Sequence, residues 1–187
     1  MYGAAARRAG AKLMYQLLKR VARTGIVTEP PPQADEGLRL VAQRLKEEVL
    51  AVFHGALAIR HVDAGSCNGC ELEIQACNNP YYNLEGLGIR FVASPRHADL
   101  LLVTGPVSRH MQTALVRTYE ATPDPKLVVA VGDCGCTGGI FGESYASCGK
   151  VSNVIPVDVA VPGCPPAPAA IMQAILTAIS SDRARRA

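Results

Sequence analysis

The chain has 187 residues, of which 49% are hydrophobic and 19% charged. That length suits one domain with a sizeable core plus an extension, and the balance is globular rather than disordered. No apolar run approaches the roughly 18 residues that span a bilayer, and a net charge of only +3 argues against nucleic acid as a whole-chain partner.

The charge is unevenly placed. Arg7, Arg8, Lys12, Lys19, Arg20 and Arg23 lie between Met1 and Thr28 with no acid among them. Leu13, Met14, Leu17, Leu18 and Val21 recur there at helical spacing, which predicts a basic amphipathic helix. Such a helix suits an anionic membrane surface or a partner; the plain alternative is a solvated tail. No compact apolar stretch leads into a small-residue cleavage site, so no secretory signal is expected. Pro30, Pro31 and Pro32 form a stiff break. Asp35 to Phe53 then predicts a second helix, with Leu38, Val41, Leu45, Val49 and Leu50 on its apolar face. Residues 1–56 are read together as an N-terminal extension.

Beyond it the pattern alternates. Strands are expected at Leu57–Val62, Ile89–Ala93, Leu100–Thr104, Leu127–Val131 and Val157–Val161. Helices are expected at Glu71–Cys77, Arg109–Ala121 and Ala167–Ile179, and the Gly/Ser-rich stretch Gly138–Val154 reads as an ordered loop. This alternation predicts an α/β domain over residues 57–180, with a mostly parallel sheet covered on both faces. A short basic tail, 181–187, follows.

Seven cysteines is an odd number for a disulfide framework. In a reducing compartment metal ligation is the better expectation. Ligands of open α/β sheets gather outside the carboxyl ends of the strands. Cys67 and Cys70 follow the first expected strand, Cys134 the fourth and Cys164 the fifth. Glycines surround them, in Gly65-Ser-Cys-Asn-Gly-Cys70, Gly132-Asp-Cys-Gly-Cys-Thr-Gly-Gly139 and Pro162-Gly-Cys-Pro-Pro166. A cubane cluster needs thiolates from several directions and close approach of backbone amides, and glycine permits both. Four cysteines match one [4Fe–4S] cluster. A thioredoxin-like dithiol would leave Cys134 and Cys164 unexplained. Structural zinc usually takes two close cysteine pairs, unlike the 2+1+1 arrangement here. Cys136 competes with Cys134 as the third ligand. Cys77 reads as a small buried hydrophobe, and Cys148 has no evident partner.

These residues resemble a known family, the small electron-transfer subunit shared by respiratory complex I and the membrane-bound [NiFe] hydrogenases. The resemblance runs from about Val62 to Ile179. It rests on Cys-Asn-Gly-Cys-Glu-Leu-Glu-Ile, Ser94-Pro-Arg-His-Ala-Asp-Leu, Val103-Thr-Gly-Pro-Val, Pro125-Lys-Leu-Val, Gly-Asp-Cys-x-x-x-Gly-Gly and Pro156-Val-Asp-Val-x-Val-Pro-Gly-Cys-Pro-Pro. The family's third ligand lies five residues before the second glycine of the Gly-Gly pair, which selects Cys134 over Cys136. The complex I branch carries tandem cysteines. The C-x-x-C of Cys67 and Cys70 resembles the hydrogenase branch, and most of all the group 4, formate hydrogenlyase-type enzymes.

The resemblance implies a flavodoxin-like fold and one proximal [4Fe–4S] cluster held by Cys67, Cys70, Cys134 and Cys164. It implies a non-catalytic subunit of an oxidoreductase, relaying electrons between a ferredoxin-like two-cluster subunit and the [NiFe] site of a large subunit, in H2 evolution or oxidation. The alternative is a complex I-type NADH-quinone oxidoreductase subunit whose cluster reduces quinone. A complex on the cytoplasmic face of the membrane, docked on membrane subunits, is implied as well. Only 23 residues follow Cys164 and none is cysteine, so the expectation is a single cluster in this chain. Asp63, Glu71, Glu73 and Asp133 flank the ligands and suit a low potential, or are ordinary caps and surface carboxylates. Glu71, His61, Arg96 and His97 are further candidates for proton coupling or partner contact.

Overall fold

The computed structural model describes residues 3–25, 35–53 and 55–186, with side chains placed for 14–25, 35–53 and 55–184. The chain divides into two units, Met1–Ala34 and Asp35–Ala187. In the first, the described element is one helix, α1 (Gly3–Thr24), as the sequence predicts. Gly25 ends it in the left-handed conformation, φ 66°, with its N–H donating to the Val21 carbonyl. The proline break at 30–32 lies outside the described residues.

The second unit is built on β1 (Leu57–Asp63), β2 (Ile89–Phe91), β3 (Leu100–Thr104), β4 (Leu127–Val131) and β5 (Val159–Val161). All four pairings are parallel and the order is β2-β1-β3-β4-β5. That order is the flavodoxin-like one. The chain leaves β1 for β2 on one side and returns to β3 on the other, so the switch point lies between β1 and β3. The helices are α2 (Glu36–Phe53), α3 (Gly69–Ala76), α4 (Arg109–Ala121), α5 (Gly132–Thr137) and α6 (Pro168–Arg186).

Every residue of β3 and β4 is buried, as expected of parallel strands covered on both faces. Successive side chains point to opposite faces. Leu100 and Leu102 join a core with Leu45, Val49, Ile171, Ile175 and Ile179. Leu101 and Val103 join a second core with Val107, Leu115, Val151 and Ile155. The Asp99 carboxylate accepts from the Ala58 N–H at 2.9 Å, and Asp158 accepts from the Val128 N–H at 2.8 Å. These pin β1 and β4 near the end of the sheet opposite the cysteines.

Three expectations change. The helix α2, grouped by sequence with the extension, supplies Leu45 and Val49 to the core and packs on α6. Leu50 is 52% exposed, because one residue past Val49 turns it about 100° away from the packed stripe. The basic tail after residue 180 continues α6, where Asp182 is buried and Arg183 pairs with Glu48 at 3.0 Å. The outer strands are also shorter than expected: β2 ends at Phe91 and β5 begins at Val159.

Leu45→Ala opens a void in a fully closed position and should cost about 2–5 kcal/mol in denaturant unfolding, while Leu50→Ala should stay within about 0.5 kcal/mol.

Candidate metal centre

The backbone at the carboxyl ends of β1, β4 and β5 brings Cys67, Cys70, Cys134 and Cys164 into one neighbourhood. Cys67 and Cys164 are exposed, and Cys70 and Cys134 are half-buried. Asn68 takes a left-handed conformation, φ 71°, just before α3, and this places Cys70 in the first turn of that helix. Gly132, φ 84°, turns the chain sharply from β4 into α5, where Cys134 sits. The sequence pattern predicts no helix there.

The packing is close enough to exclude side chains. A Cβ on Gly132 would meet the Cys70 sulfur at 2.6 Å, and one on Gly139 would meet the Cys134 sulfur at 2.8 Å. Gly69 lies against Cys67 and Pro165. Three separate loops therefore touch through their cysteines and the glycines beside them.

Asp133 ties two of these loops. Its N–H donates to the Gly163 carbonyl at 2.8 Å, and its carboxylate accepts from the Gly163 N–H at 2.7 Å. The residues before Cys134 and Cys164 are thus clamped at two points. Sequence placed Asp133 beside a ligand but carried no sign of the clamp, since its partner is a backbone group 30 residues away.

Electrostatics reports the same proximity. Burial pushes the Cys70 thiol up to about 11, and Glu71, Cys67, Cys134 and Cys164 all push in the same direction. Cys134 is raised by burial, then by Cys164, Cys67 and Asp133. Thiolates this close disfavour one another without a cation between them. Among the described residues no three His, Cys, Asp or Glu side chains converge on a single ion.

The other cysteines lie elsewhere. Cys136 is two residues beyond Cys134, about 200° around the helix. Its thiol points to the Ala130 carbonyl at 3.6 Å and lines a small cavity with Ser152 and Ala160. Burial raises it, and none of the four clustered thiols acts on it. Cys77 is buried beneath α3, donates to the Glu73 carbonyl at 3.3 Å, and is pushed up to about 12 by burial. Cys148 is buried in the second core, with its thiol 3.4 Å from the Gln112 side-chain oxygen.

A polar chain runs from the first cysteine loop to the switch point. Ser66 donates to Glu71 Oε1 at 2.6 Å, and the Thr104 hydroxyl donates to the same oxygen. His61 Nε2 lies 3.0 Å from Thr104 Oγ1. With its proton directed to Glu71, the Thr104 oxygen can accept from His61 when Nε2 carries a proton. Glu71 is buried, and its Oε2 has no hydrogen-bond partner among the described residues. Burial lowers the His61 pKa and outweighs the opposing pull of Glu71 and Asp63. Asp63 Oδ1 accepts from the Gly65 and Ser66 N–H groups, 2.8 Å each. Burial alone would raise its pKa, but these bonds hold it below the ordinary value. Sequence singled out His61 and Glu71 but missed Ser66, in the loop after β1, and Thr104, whose signal was only a hydroxyl ending an otherwise apolar strand. Arg96 and His97 sit exposed on a short 3-10 turn, Pro95–His97.

This is a flavodoxin-like protein that presents a group of thiols at the carboxyl edge of its sheet. Residues 67–178 match the family of the NADH ubiquinone oxidoreductase 20 kDa subunit, and the chain belongs to that family. It is 50% identical over 119 residues to a probable membrane-bound hydrogenase subunit of Pyrococcus furiosus, covering 64% of this chain and 71% of that one. It is 43% identical over 135 residues to formate hydrogenlyase subunit 7 of Escherichia coli, covering 72% of this chain and about half, 53%, of that one. It is 44% identical over 107 residues to an NADH-quinone oxidoreductase subunit of Desulfovibrio desulfuricans, covering 57% and 58%. A solved structure of an archaeal membrane-bound sulfane sulfur reductase contains a chain of similar fold, with TM-score 0.59, 35% identity and coverage of 78% and 75%.

Two expectations follow. Asp133→Ala removes a charge-assisted bond to a backbone amide and should cost about 1.5–3 kcal/mol in unfolding, with Asp133→Asn recovering part of it. His61 binds protons more weakly folded than unfolded, so it contributes stability that is present above its ordinary value of 6.5 and lost as pH falls from there toward the depressed native value. His61→Gln should therefore make the loss of thermal stability between about pH 7 and pH 5 shallower than in the native chain.

Proposed function

We propose that this chain is the electron-transfer subunit of a membrane-bound, [NiFe] hydrogenase-type complex and holds its proximal [4Fe–4S] cluster with Cys67, Cys70, Cys134 and Cys164. The observation that carries the reading is the meeting of four thiols, from three strand ends, against glycines that leave the sulfurs room. The 2+1+1 distribution of the cysteines over three loops favours a cluster over structural zinc, which usually takes two close pairs. The hydrogenase assignment is supported by the C-x-x-C spacing of Cys67 and Cys70 and by the 50% identity to the Pyrococcus hydrogenase subunit.

When bound, such a cluster supplies a one-electron relay between a ferredoxin-like subunit and the nickel–iron site of the large subunit. The chain's own part is to fix position and surroundings. Cys70 and Cys134 lie in the first turns of α3 and α5, the helix ends where negative charge is favoured. Gly132 and Gly139 keep side chains away from the sulfurs. Asp133 holds the Cys134 and Cys164 loops in register, and Glu71 braces the Cys67–Cys70 loop against Thr104 of β3. The carboxylates Asp63, Glu71 and Asp133 place negative charge near the ligands, which favours the oxidised form and a low potential.

The surface around the ligands suits a partner. Leu72 is 57% exposed two residues past Cys70, and Ile140 and Phe141 are 94% and 58% exposed directly after Gly139. Exposed apolar groups beside a redox site fit burial under the large subunit. Among the described residues no helix is long and apolar enough to cross a membrane, which fits a peripheral subunit on the cytoplasmic face, held by membrane subunits of the complex.

The test is iron and sulfide analysis with EPR of the reduced complex. Cys67, Cys70, Cys134 or Cys164 replaced by alanine should each lose the cluster signal, while Cys77→Ala, Cys136→Ala and Cys148→Ala should keep it. Zinc in place of iron, or cluster loss confined to Cys136→Ala, would overturn the ligand set. Nickel in the purified complex should accompany hydrogen turnover, and quinone reduction without nickel would move the chain to the complex I branch.

A further inference from the structure

The helix α1 carries chemistry that the cysteine site does not use. Met14, Leu17, Leu18 and Val21 are each more than half exposed. At about 100° per residue these four fall within one stripe about 100° wide, and Lys19, Arg20 and Arg23 fall on the opposite side. Tyr15, 65% exposed, lies on the boundary between the stripes. Six basic residues and no acidic one occur before Thr28. The remainder of the chain carries a net charge of −3, so the cationic character is concentrated in this one segment.

Two occupants suit an apolar stripe flanked by cations. A protein groove would need an acidic rim placed to meet each basic residue. An anionic bilayer offers negative charge on every side and an apolar layer beneath it, with no such register. The uniform sign of the charge, the aromatic at the boundary and the length of about 33 Å fit the second. The helix is not apolar enough to cross, so it would lie in the interface plane.

We propose that α1 binds an anionic phospholipid surface directly, with Met14, Leu17, Leu18 and Val21 in the acyl boundary and Lys19, Arg20 and Arg23 at the headgroups. This rests on the membrane setting proposed above only for the presence of lipid. It gives the chain a membrane contact of its own, independent of the partner subunits.

The experiment uses the full-length chain with its cluster and vesicles of phosphatidylcholine with or without about 30% phosphatidylglycerol. The chain should sediment with the anionic vesicles and not with the neutral ones, and about 0.5 M salt should release it. Lys19→Glu, Arg20→Glu and Arg23→Glu together, or Leu17→Gln with Leu18→Gln, should weaken binding at least about ten-fold while the visible absorbance of the cluster stays unchanged. The chain has no tryptophan, so Tyr15→Trp supplies a single probe whose emission should shift to the blue on anionic vesicles alone. Equal binding to both vesicles, binding that survives charge reversal, or no binding while purified partner subunits protect α1 from hydrogen exchange would each overturn the inference. Loss of the cluster with vesicle binding intact would instead count against the ligand set and leave this inference standing.

Discussion

Four thiols gathered at one sheet edge resist being charged together, and the rest of this structure is arranged around that constraint. Burial and the neighbouring thiols raise Cys70 to about 11 and push Cys134 in the same direction. Their frame is the parallel sheet, whose order directs the ends of β1, β4 and β5 to the same edge and puts the switch point beside them. A metal held by these thiols would have to displace their protons, so its affinity would fall with falling pH.

Rigidity comes from two sides. The covered sheet fixes the strand ends, with β3 and β4 buried throughout. Polar contacts then lock the loops above it. Asp133 bonds both backbone groups of Gly163, and Glu71 gathers Ser66 and Thr104 onto one oxygen. These carboxylates join loops that the sheet alone would leave independent. Their charge also lies beside the clustered thiols, so the same groups that hold the loops place negative charge there.

Much of this was legible in the sequence. Strand runs that are apolar throughout and separated by helical spacing imply a buried parallel sheet, and all five strands are where those runs occur. The cysteines read as ligands because they follow strands and sit among glycines. The place of α2 was not legible: its amphipathic face was evident, but a proline break before it suggested separation from the domain it completes. The helix α5 was hidden because glycine and cysteine are poor helix formers, and six residues held by neighbouring loops do not show a periodicity.

What the sequence by itself determined is the chemistry available: seven cysteines, glycine at the turns beside four of them, a basic amphipathic N-terminus and strands that demand a covered sheet. Hydrophobic periodicity and the conformational freedom of glycine are local properties, so they can be read locally. The family register favoured Cys134 over Cys136, but the physical reason is tertiary. A helical turn sends one toward Cys70 and Cys164 and the other toward the Ala130 carbonyl. Only the tertiary structure decided that Asp133 reaches Gly163 and that Thr104 meets Glu71 and His61, since those contacts join residues 30 to 43 positions apart. Pairings over such distances depend on strand order, and strand order is a property of the whole fold.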